Sequence, residues 1–370
     1  MFNNFIYMKD FYFLSILLEH LILIVGKKIK ELLIAAEMGD VEIIRNIVKA
    51  IEQFDIKQPW LTQCDKKGRT PLHLAAICGY INVVRFLVTE ILDKTPNEEL
   101  RKQHLNIADH KGRTSLFHAA AENRVQVVRF LAERGADLEI ATNDNHNEPG
   151  STALMACAEK GHSECFQIIL EKGANILAIR NDGADATYIA ARYGHVPIIE
   201  EIAGNRKLEQ TGKIKLIVDR PTFRSRSALL TAAYHGHIKV CKILHRKGAN
   251  LDHQDEDSFT ALIYAASEGF FDLVKWLVER GADMYLRNKF GETASMFAEA
   301  NGYSEVARFL SKWNDDGDAS TELINGVREM RIKLERTKHR ASKTLSSCDL
   351  KLTRKSAKKI GPVFVTRDEA

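Results

Sequence analysis

The chain has none of the short motifs that build the common catalytic sites. It contains no GxGxxG or P-loop glycine pattern, no GxSxG nucleophile turn and no HExxH zinc helix, which excludes the most familiar nucleotide, nucleophile and catalytic zinc sites. Two acidic stretches, 143–150 and 252–258, lack the glycine and the terminal glutamate of an EF-hand calcium loop. The sequence therefore predicts no enzyme, no metal site, no cofactor and no small-molecule substrate.

Cysteine is scarce, with six residues and no CxxC pair. This excludes a disulfide-stapled scaffold and a zinc ribbon. Several of the cysteines occupy helix positions where a small apolar side chain is expected, so we predict buried free thiols. Free thiols favour a reducing compartment and hence the cytoplasm, while the basic pairs Arg354-Lys355 and Lys358-Lys359 add the nucleus as a second location.

Long hydrophobic runs are absent as well. Residues 5–25 are rich in apolar side chains, yet charged residues and a histidine interrupt them, and the longest run, 11–18, has eight residues including a serine. A membrane-spanning helix needs about 20 nearly uncharged residues. Residues 1–27 are therefore expected to be a capping helix for the first structural unit or a targeting segment, and membrane contact through residues 5–25 stays open.

One motif returns along nearly the whole chain. The string TPLHLA begins at Thr70, and related strings begin at Lys30, Thr114, Thr152, Asp185, Ser227, Thr260 and Thr293. Successive copies are 40, 44, 38, 33, 42, 33 and 33 residues apart. A constant shortest interval with occasional longer ones is typical of a repeat array whose insertions lie in loops.

Each copy has the pattern of two short helices. A threonine at the start supplies an N-cap oxygen, alanine pairs such as Ala75-Ala76 let helices pack closely, and residues 83–87 form an apolar stripe at helical spacing. Glycines such as Gly135 follow the second helix, where a left-handed residue is needed. One such unit cannot bury its apolar face alone, so neighbouring units must complete the core.

These features closely resemble the ankyrin repeat family, most clearly in residues 68–88 and 258–283. The resemblance covers about eight units in residues 28–313 and implies an all-α solenoid of helix-turn-helix units with β-hairpin fingers. It also implies structural roles for four histidines: His73, which would bridge backbone groups of adjacent units, and His162, His195 and His237. The fifth unit departs from the pattern, because Asp185 replaces the threonine and Thr187 replaces the leucine.

Insertions and a tail interrupt the repeat. Residues 89–108 are expected to add a helical turn. Residues 204–226 hold seven basic residues against two acidic ones. Their KIKLIV stretch favours a short strand or a partner-binding loop. The alternative is a surface insertion without a function. From residue 319 onward 13 lysines and arginines face six acidic residues. We expect the tail, 314–370, to be partly helical or disordered, dispensable for folding, and available to a partner or a membrane surface.

The resemblance implies a protein partner on the concave side, at the finger tips and the free ends of the first helices. Units five and six place there residue types that are frequent in binding hot spots. The predicted partner-binding residues of these units are Tyr188, Arg192, Tyr193, Tyr234 and His235. Finger tips add Lys66 and Lys111 in units two and three, and Asp255, Glu256, Asp257 and Phe259 in unit seven. A finger row running from positive to negative would orient a partner of matching polarity.

Asn106 matches the position at which ankyrin repeats are often hydroxylated, although an ordinary turn asparagine is the favoured interpretation. A nucleic-acid partner is not expected. The whole sequence favours a non-enzymatic scaffold or adaptor. The alternative is a regulatory or targeting arm of a larger enzyme or channel assembly.

Overall fold

The computed structural model describes residues 26–52, 62–93, 95, 97–143 and 150–315. Over these ranges the chain consists of helices joined by turns, and Ala108 and Thr114 form an isolated β-bridge. The predictions made for residues 1–25 and for the tail beyond residue 315 lie outside the described residues and stay predictions.

Eight helical hairpins follow the eight sequence units. The hairpins are α1 (26–38) with α2 (Val41–Glu52), α3 (Pro71–Cys78) with α4 (Ile81–Arg85), α6 (Ser115–Ala121) with α7 (Val125–Glu133), α8 (Ala153–Lys160) with α9 (Ser163–Glu171), α10 (Ala186–Arg192) with α11 (Val196–Gly204), α14 (Ala228–Tyr234) with α15 (Ile238–Arg246), α16 (Ala261–Ser267) with α17 (Phe271–Glu279), and α18 (Ala294–Ala300) with α19 (Ser304–Asp315). We call the first member of each pair the inner helix and the second the outer helix. The predicted all-α repeat architecture is confirmed.

Three further helices belong to the insertions. The outer helix α4 continues as a π-helix, Phe86–Leu92, and α5 (Glu98–Leu105) follows it, which confirms the expected helical addition. The second insertion forms α12 (Arg206–Gln210) and α13 (Lys213–Val218). The short strand considered for KIKLIV is therefore wrong. Its apolar residues Ile214, Ile217 and Val218 are spaced for one helical face, and the last two are buried.

The core is one continuous apolar layer between the two helix rows. Each inner helix packs on the inner helices before and after it, from α3 through α18, and outer helices pack on neighbouring outer helices in the same way. Phe166 and Ile198 on outer helices and Leu116 on an inner helix are completely buried. At the start of the array, the guanidinium of Arg45 lies 5.0 Å from the ring centre of Phe86 in the next unit. Each unit thus buries its apolar face against its neighbours.

The finger turns close through the side chain of an aspartate. In unit two, the backbone N–H groups of Lys67 and Arg69 donate to Asp65 Oδ1 at 2.8 and 2.9 Å, and the Arg69 side chain pairs with Oδ2. Asp255 does the same in unit seven and is buried. Asp255 is therefore not a finger-tip charge, and the prediction is wrong for this residue, whereas Glu256 and Asp257 are exposed at the same tip. An aspartate at the start of a turn hydrogen-bonds to its own backbone.

Histidines join consecutive units, as the resemblance implied. His73 Nε2 lies 3.0 Å from the carbonyl oxygen of Arg113, and His162 Nδ1 lies 3.0 Å from that of Ala120. His195 Nε2 and His237 Nε2 approach the carbonyl oxygens of Glu159 and Arg192 at 2.9 and 3.1 Å. Each of these carbonyls lies in a neighbouring unit, so the four histidines are structural.

Gly194 is expected to tolerate no side chain. Its φ is +72°, and a Cβ atom would lie 2.6 Å from His237 Nδ1. Gly135 has a similar φ of +80° with no atom near its Cβ position. Both alanine variants incur backbone strain of about 1 kcal/mol, but Gly194→Ala must also displace the His237 ring. We expect it to be the more destabilising variant by at least about 1 kcal/mol in urea unfolding; equal losses would show that the ring moves aside freely.

Candidate functional site

The predicted binding residues of units five and six end two adjacent inner helices. Arg192 closes α10 and Tyr193 follows it, while Tyr234 closes α14 and His235 follows it. All four are exposed, with 41% of Tyr193 and 44% of Tyr234 accessible to solvent. The residues just before these ends are buried, Ala190-Ala191 with Ile189 in α10 and Ala232-Ala233 with Leu230 in α14. Packing therefore does not require the two tyrosine rings, and the fold presents them outward.

The backbone beneath these residues is fixed by the next unit. His237, at the start of α15, donates from Nε2 to the carbonyl of Arg192 at 3.1 Å and packs on Gly194. The Arg192 guanidinium lies 5.5 Å from the Tyr193 ring centre, and the Tyr193 ring stacks on His195 at 6.1 Å. A rigid support of this kind lowers the entropy lost when a partner binds.

His235 lies close to side chains from the ends of both α10 and α14. Its ring lies 4.9 Å from Tyr234 and 6.0 Å from His237. Burial lowers the pKa of His235 below its ordinary value, and the nearby His237 and Arg192 lower it further. The lowered pKa favours the neutral form of His235, and Arg192 supplies the positive charge of this surface.

An aromatic row continues from Tyr234 towards unit eight. Tyr234 lies 5.3 Å from Tyr264, Tyr264 lies 4.9 Å from Phe259, and Phe259 lies 5.3 Å from Phe297, measured between ring centres. Phe259 is thus half-buried within the row, and its ring is less open to a partner than a finger-tip residue would be. Tyr188 is likewise half-buried.

Tyr264 links the row and was not predicted from the sequence. Its hydroxyl donates to Asp255 Oδ2 at 2.5 Å. Burial and the Asp255 carboxylate raise the pKa of Tyr264 far above its ordinary value. In unit three His118 occupies the equivalent position and lies 2.9 Å from Asp109. Comparison of the units position by position would have identified this recurrent contact between finger and inner helix.

The finger lysines lie apart from the tyrosines. Lys66 and Lys111 are exposed at the tips of units two and three. The arginines beside them, Arg69 and Arg113, pair with Asp65 and Asp109. Their charges are therefore largely compensated, so the positive character of this end comes from the lysines.

Asn106 has a structural contact in the array. Its Oδ1 accepts the backbone N–H of Asp137 at 2.9 Å. Asp219 and Asp252 accept the equivalent N–H groups of Asn250 and Asp283 at 2.9 and 2.8 Å. Asn106 therefore fills a position that carboxylates fill in other units, and its hydroxylation stays a prediction.

The thiols differ in exposure. Five cysteines lie in the described ranges and all are free; Cys157, Cys165 and Cys241 are buried, Cys78 is half-buried and Cys64 is exposed. Burial raises the pKa of Cys241 to about 12. Over the described residues, no group of three or more histidine, cysteine or acidic side chains has the arrangement of a metal site. None of the described helices combines the length and the apolar character needed to cross a bilayer.

Comparison with known proteins gives the family. A family model described as ankyrin repeats (three copies) matches residues 32–142, 138–213, 209–288 and 229–323. A Caenorhabditis elegans protein named "Transient receptor potential cation channel subfamily A member 1 homolog" is 24% identical over 222 residues, 58% of this chain and 16% of that protein. The Drosophila melanogaster "DNA replication inhibitor plutonium" is 37% identical over 57 residues, 15% of this chain and 33% of that protein. The chain matches a third or less of each relative's length, but the family model covers most of the chain, which belongs to the ankyrin repeat family.

Proposed function

We propose that this protein is a scaffold or adaptor that binds a partner protein on the inner face of units five and six. Ankyrin repeats are protein-interaction modules and are generally not enzymes. The observation that carries the proposal is the pair of exposed tyrosines, Tyr193 and Tyr234, at the ends of adjacent inner helices. The cytoplasm, with the nucleus as a second location, is the proposed compartment.

The chemistry of this surface favours a protein ligand. Tyrosine and arginine are the residue types that most often dominate protein interfaces, and truncating such a residue typically costs about 2 kcal/mol of binding. Exposed charges at an interface edge contribute about 1 kcal/mol or less. The lysines at the tips of units two and three are therefore proposed to orient the partner, while the tyrosines and Arg192 supply most of the affinity.

A second candidate function is that of a regulatory or targeting arm within a larger channel or enzyme assembly. The match to part of a cation channel homolog favours it. This alternative requires a channel or enzyme domain, either in the same reading frame or in a stably bound subunit. Sequencing the complete transcript tests the first possibility, and identifying the proteins that co-purify with the chain tests the second.

The inner-face proposal predicts that Tyr193→Ala/Tyr234→Ala reduces partner binding by tens-fold or more. Partners would be identified by affinity purification of the wild-type chain and then measured against purified variants. Since 41% of Tyr193 and 44% of Tyr234 is accessible to solvent and neither residue belongs to the buried core, the double variant should unfold at nearly the wild-type urea concentration.

Two control variants test whether binding depends on these two tyrosines in particular. Tyr285→Ala removes another exposed tyrosine, which lies between α17 and α18 and therefore outside units five and six, and should leave binding unchanged. Lys66→Ala/Lys111→Ala should weaken binding only a few-fold. If the tyrosine pair is silent and the lysine pair abolishes binding, the interface lies on the fingers of units two and three.

A further inference from the structure

The segment from residue 204 to residue 247 is the most basic part of the array. It holds 11 lysines and arginines against two acidic residues, Glu209 and Asp219, in a chain whose net charge is only +4. The fold divides this segment between the inserted helices α12 and α13 and the hairpin of unit six. The basic residues of the insertion and of α15 are therefore candidates for one continuous surface.

Two contacts hold the insertion against the end of α15. Lys247 Nζ lies 2.7 Å from Glu209 Oε1 of α12, and the backbone N–H of Asn250 donates to Asp219 Oδ1, just after α13, at 2.9 Å. These contacts occupy both acidic residues of the segment. They leave the remaining basic side chains without an acidic counterpart from within it.

The outer helix α15 contributes a single basic stripe. Its apolar residues Val240 and Leu244 are buried, whereas Lys239, Lys242 and Arg246 are exposed. Spacings of three and four residues place these three charges on one helix face, along about 11 Å. We define the outer basic patch as Lys207, Lys213, Lys215, Lys239, Lys242 and Arg246.

The patch is uncompensated and includes an apolar side chain. Within the part of the chain that the structure describes, none of its six members forms an ion pair, although all six are exposed. Leu216 follows Lys215 on α13 and exposes 53% of its surface. An exposed leucine beside basic side chains can add apolar contact at a lipid headgroup boundary.

We propose that the outer basic patch docks the array onto an anionic lipid bilayer. Lysine binds phosphate groups as a flexible point charge, whereas protein interfaces favour the planar guanidinium and aromatic rings. Five of the six charges are lysines, and the inner face holds the exposed tyrosines and Arg192 instead. The two surfaces thus differ in chemistry, which fits a membrane on the outer side and a protein on the inner side.

The test is flotation of the purified full chain with vesicles of phosphatidylcholine and phosphatidylserine. Binding to these vesicles, and not to phosphatidylcholine alone, is expected, with a marked loss as salt screens the charges. Each basic residue near an anionic surface is worth about fivefold in partitioning. The variants Lys213→Gln/Lys215→Gln and Lys239→Gln/Lys242→Gln should therefore each bind about 25-fold more weakly, and Leu216→Ser should bind severalfold more weakly at high salt.

Lys66→Gln/Lys67→Gln is the matched control, because it removes the same charge from an exposed site in unit two. It should float like the wild type. A further variant combines the two lysine pairs, Lys213→Gln/Lys215→Gln and Lys239→Gln/Lys242→Gln. If this quadruple variant floated as well as the wild type, the proposal would be overturned and any binding would be assigned to another segment. Absence of flotation, or tight binding to double-stranded DNA in place of vesicles, would also overturn it. This assay needs no protein partner, so its outcome is independent of the tyrosine experiment.

Discussion

Replacing His73 by leucine is expected to lower the free energy of unfolding at pH 7 by about 3 kcal/mol. His73 is completely buried between α3 and the finger of unit three. Its Nδ1 accepts the backbone N–H of Thr70 at 3.1 Å and lies 2.8 Å from the Thr70 hydroxyl, while Nε2 donates to the Arg113 carbonyl at 3.0 Å. Leucine fills the space but leaves these groups unpaired, at about 1–3 kcal/mol for each buried polar group.

Met155→Leu is the matched control for this variant. Met155 occupies the same position in unit four and is buried. A Met-to-Leu exchange conserves volume and should cost less than about 1.5 kcal/mol. Because repeat arrays can unfold in segments, the stability of both variants should be measured by denaturant unfolding and also by hydrogen exchange of the backbone amides in α3 and α6. Similar losses in the two variants would mean that the histidine bridge contributes little.

The same histidine makes stability depend on pH. Burial and the neighbouring His118 lower the pKa of His73 from 6.5 to about 4. The unfolded chain therefore binds the proton more readily between those values. This term in the free energy of unfolding is fully favourable above pH 6.5, and it falls by up to about 3 kcal/mol as pH falls to about 4. The leucine variant should lack this term.

The repeat spacing and the helix-cap residues were enough to predict the architecture. Thr114, Ser227 and Thr260 cap inner helices through their hydroxyl oxygens, as expected from their positions alone. The histidine bridges followed from the resemblance. These features are local to one unit or recur at the same position in several units, so they can be predicted from a single sequence.

Features that depend on tertiary contacts were predicted less well. Asp255 has the composition of an exposed turn residue, yet contacts with Tyr264 and with its own backbone draw it inward. The KIKLIV stretch has only six residues, and a segment of this length is compatible with either a strand or a helix. The packing of Ile217 against the array selects the helix. The exposed position of Tyr193 and Tyr234 was predicted, but the ring contacts that extend the row to Phe297 depend on how adjacent units pack.

The carboxylate of Asp185 lies in an unfavourable environment. The corresponding position holds a threonine or serine in every other unit from the second to the eighth. Asp185 Oδ1 caps α10 by accepting the N–H of Tyr188 at 2.8 Å, but the buried Oδ2 and the buried Thr187 hydroxyl have no hydrogen-bond partner among the described residues. Burial raises the pKa of Asp185 from 3.8 to about 6, and Arg220 offsets this only in part.

Asp185→Thr is therefore expected to raise the free energy of unfolding at pH 7 by about 2 kcal/mol. The threonine keeps the cap, as Thr114 does in unit three, and removes a buried charge. The matched control is Ser227→Thr, which exchanges one capping hydroxyl for another and should change stability by about 0.5 kcal/mol or less. A neutral or destabilising effect of Asp185→Thr would show that the carboxylate is compensated in the folded chain.

The pH dependence of the free energy of unfolding of Asp185→Thr separates the contributions of Asp185 and His73. For Asp185 the folded state binds the proton more readily, so its contribution to stability rises as pH falls from about 6 to about 4. The contribution of His73 falls over nearly the same range. The two terms oppose each other in the wild type, whose stability should change little between pH 6.5 and 4. Without Asp185 the histidine term is unopposed, and the variant should lose about 3 kcal/mol over that range in urea unfolding measured at successive pH values.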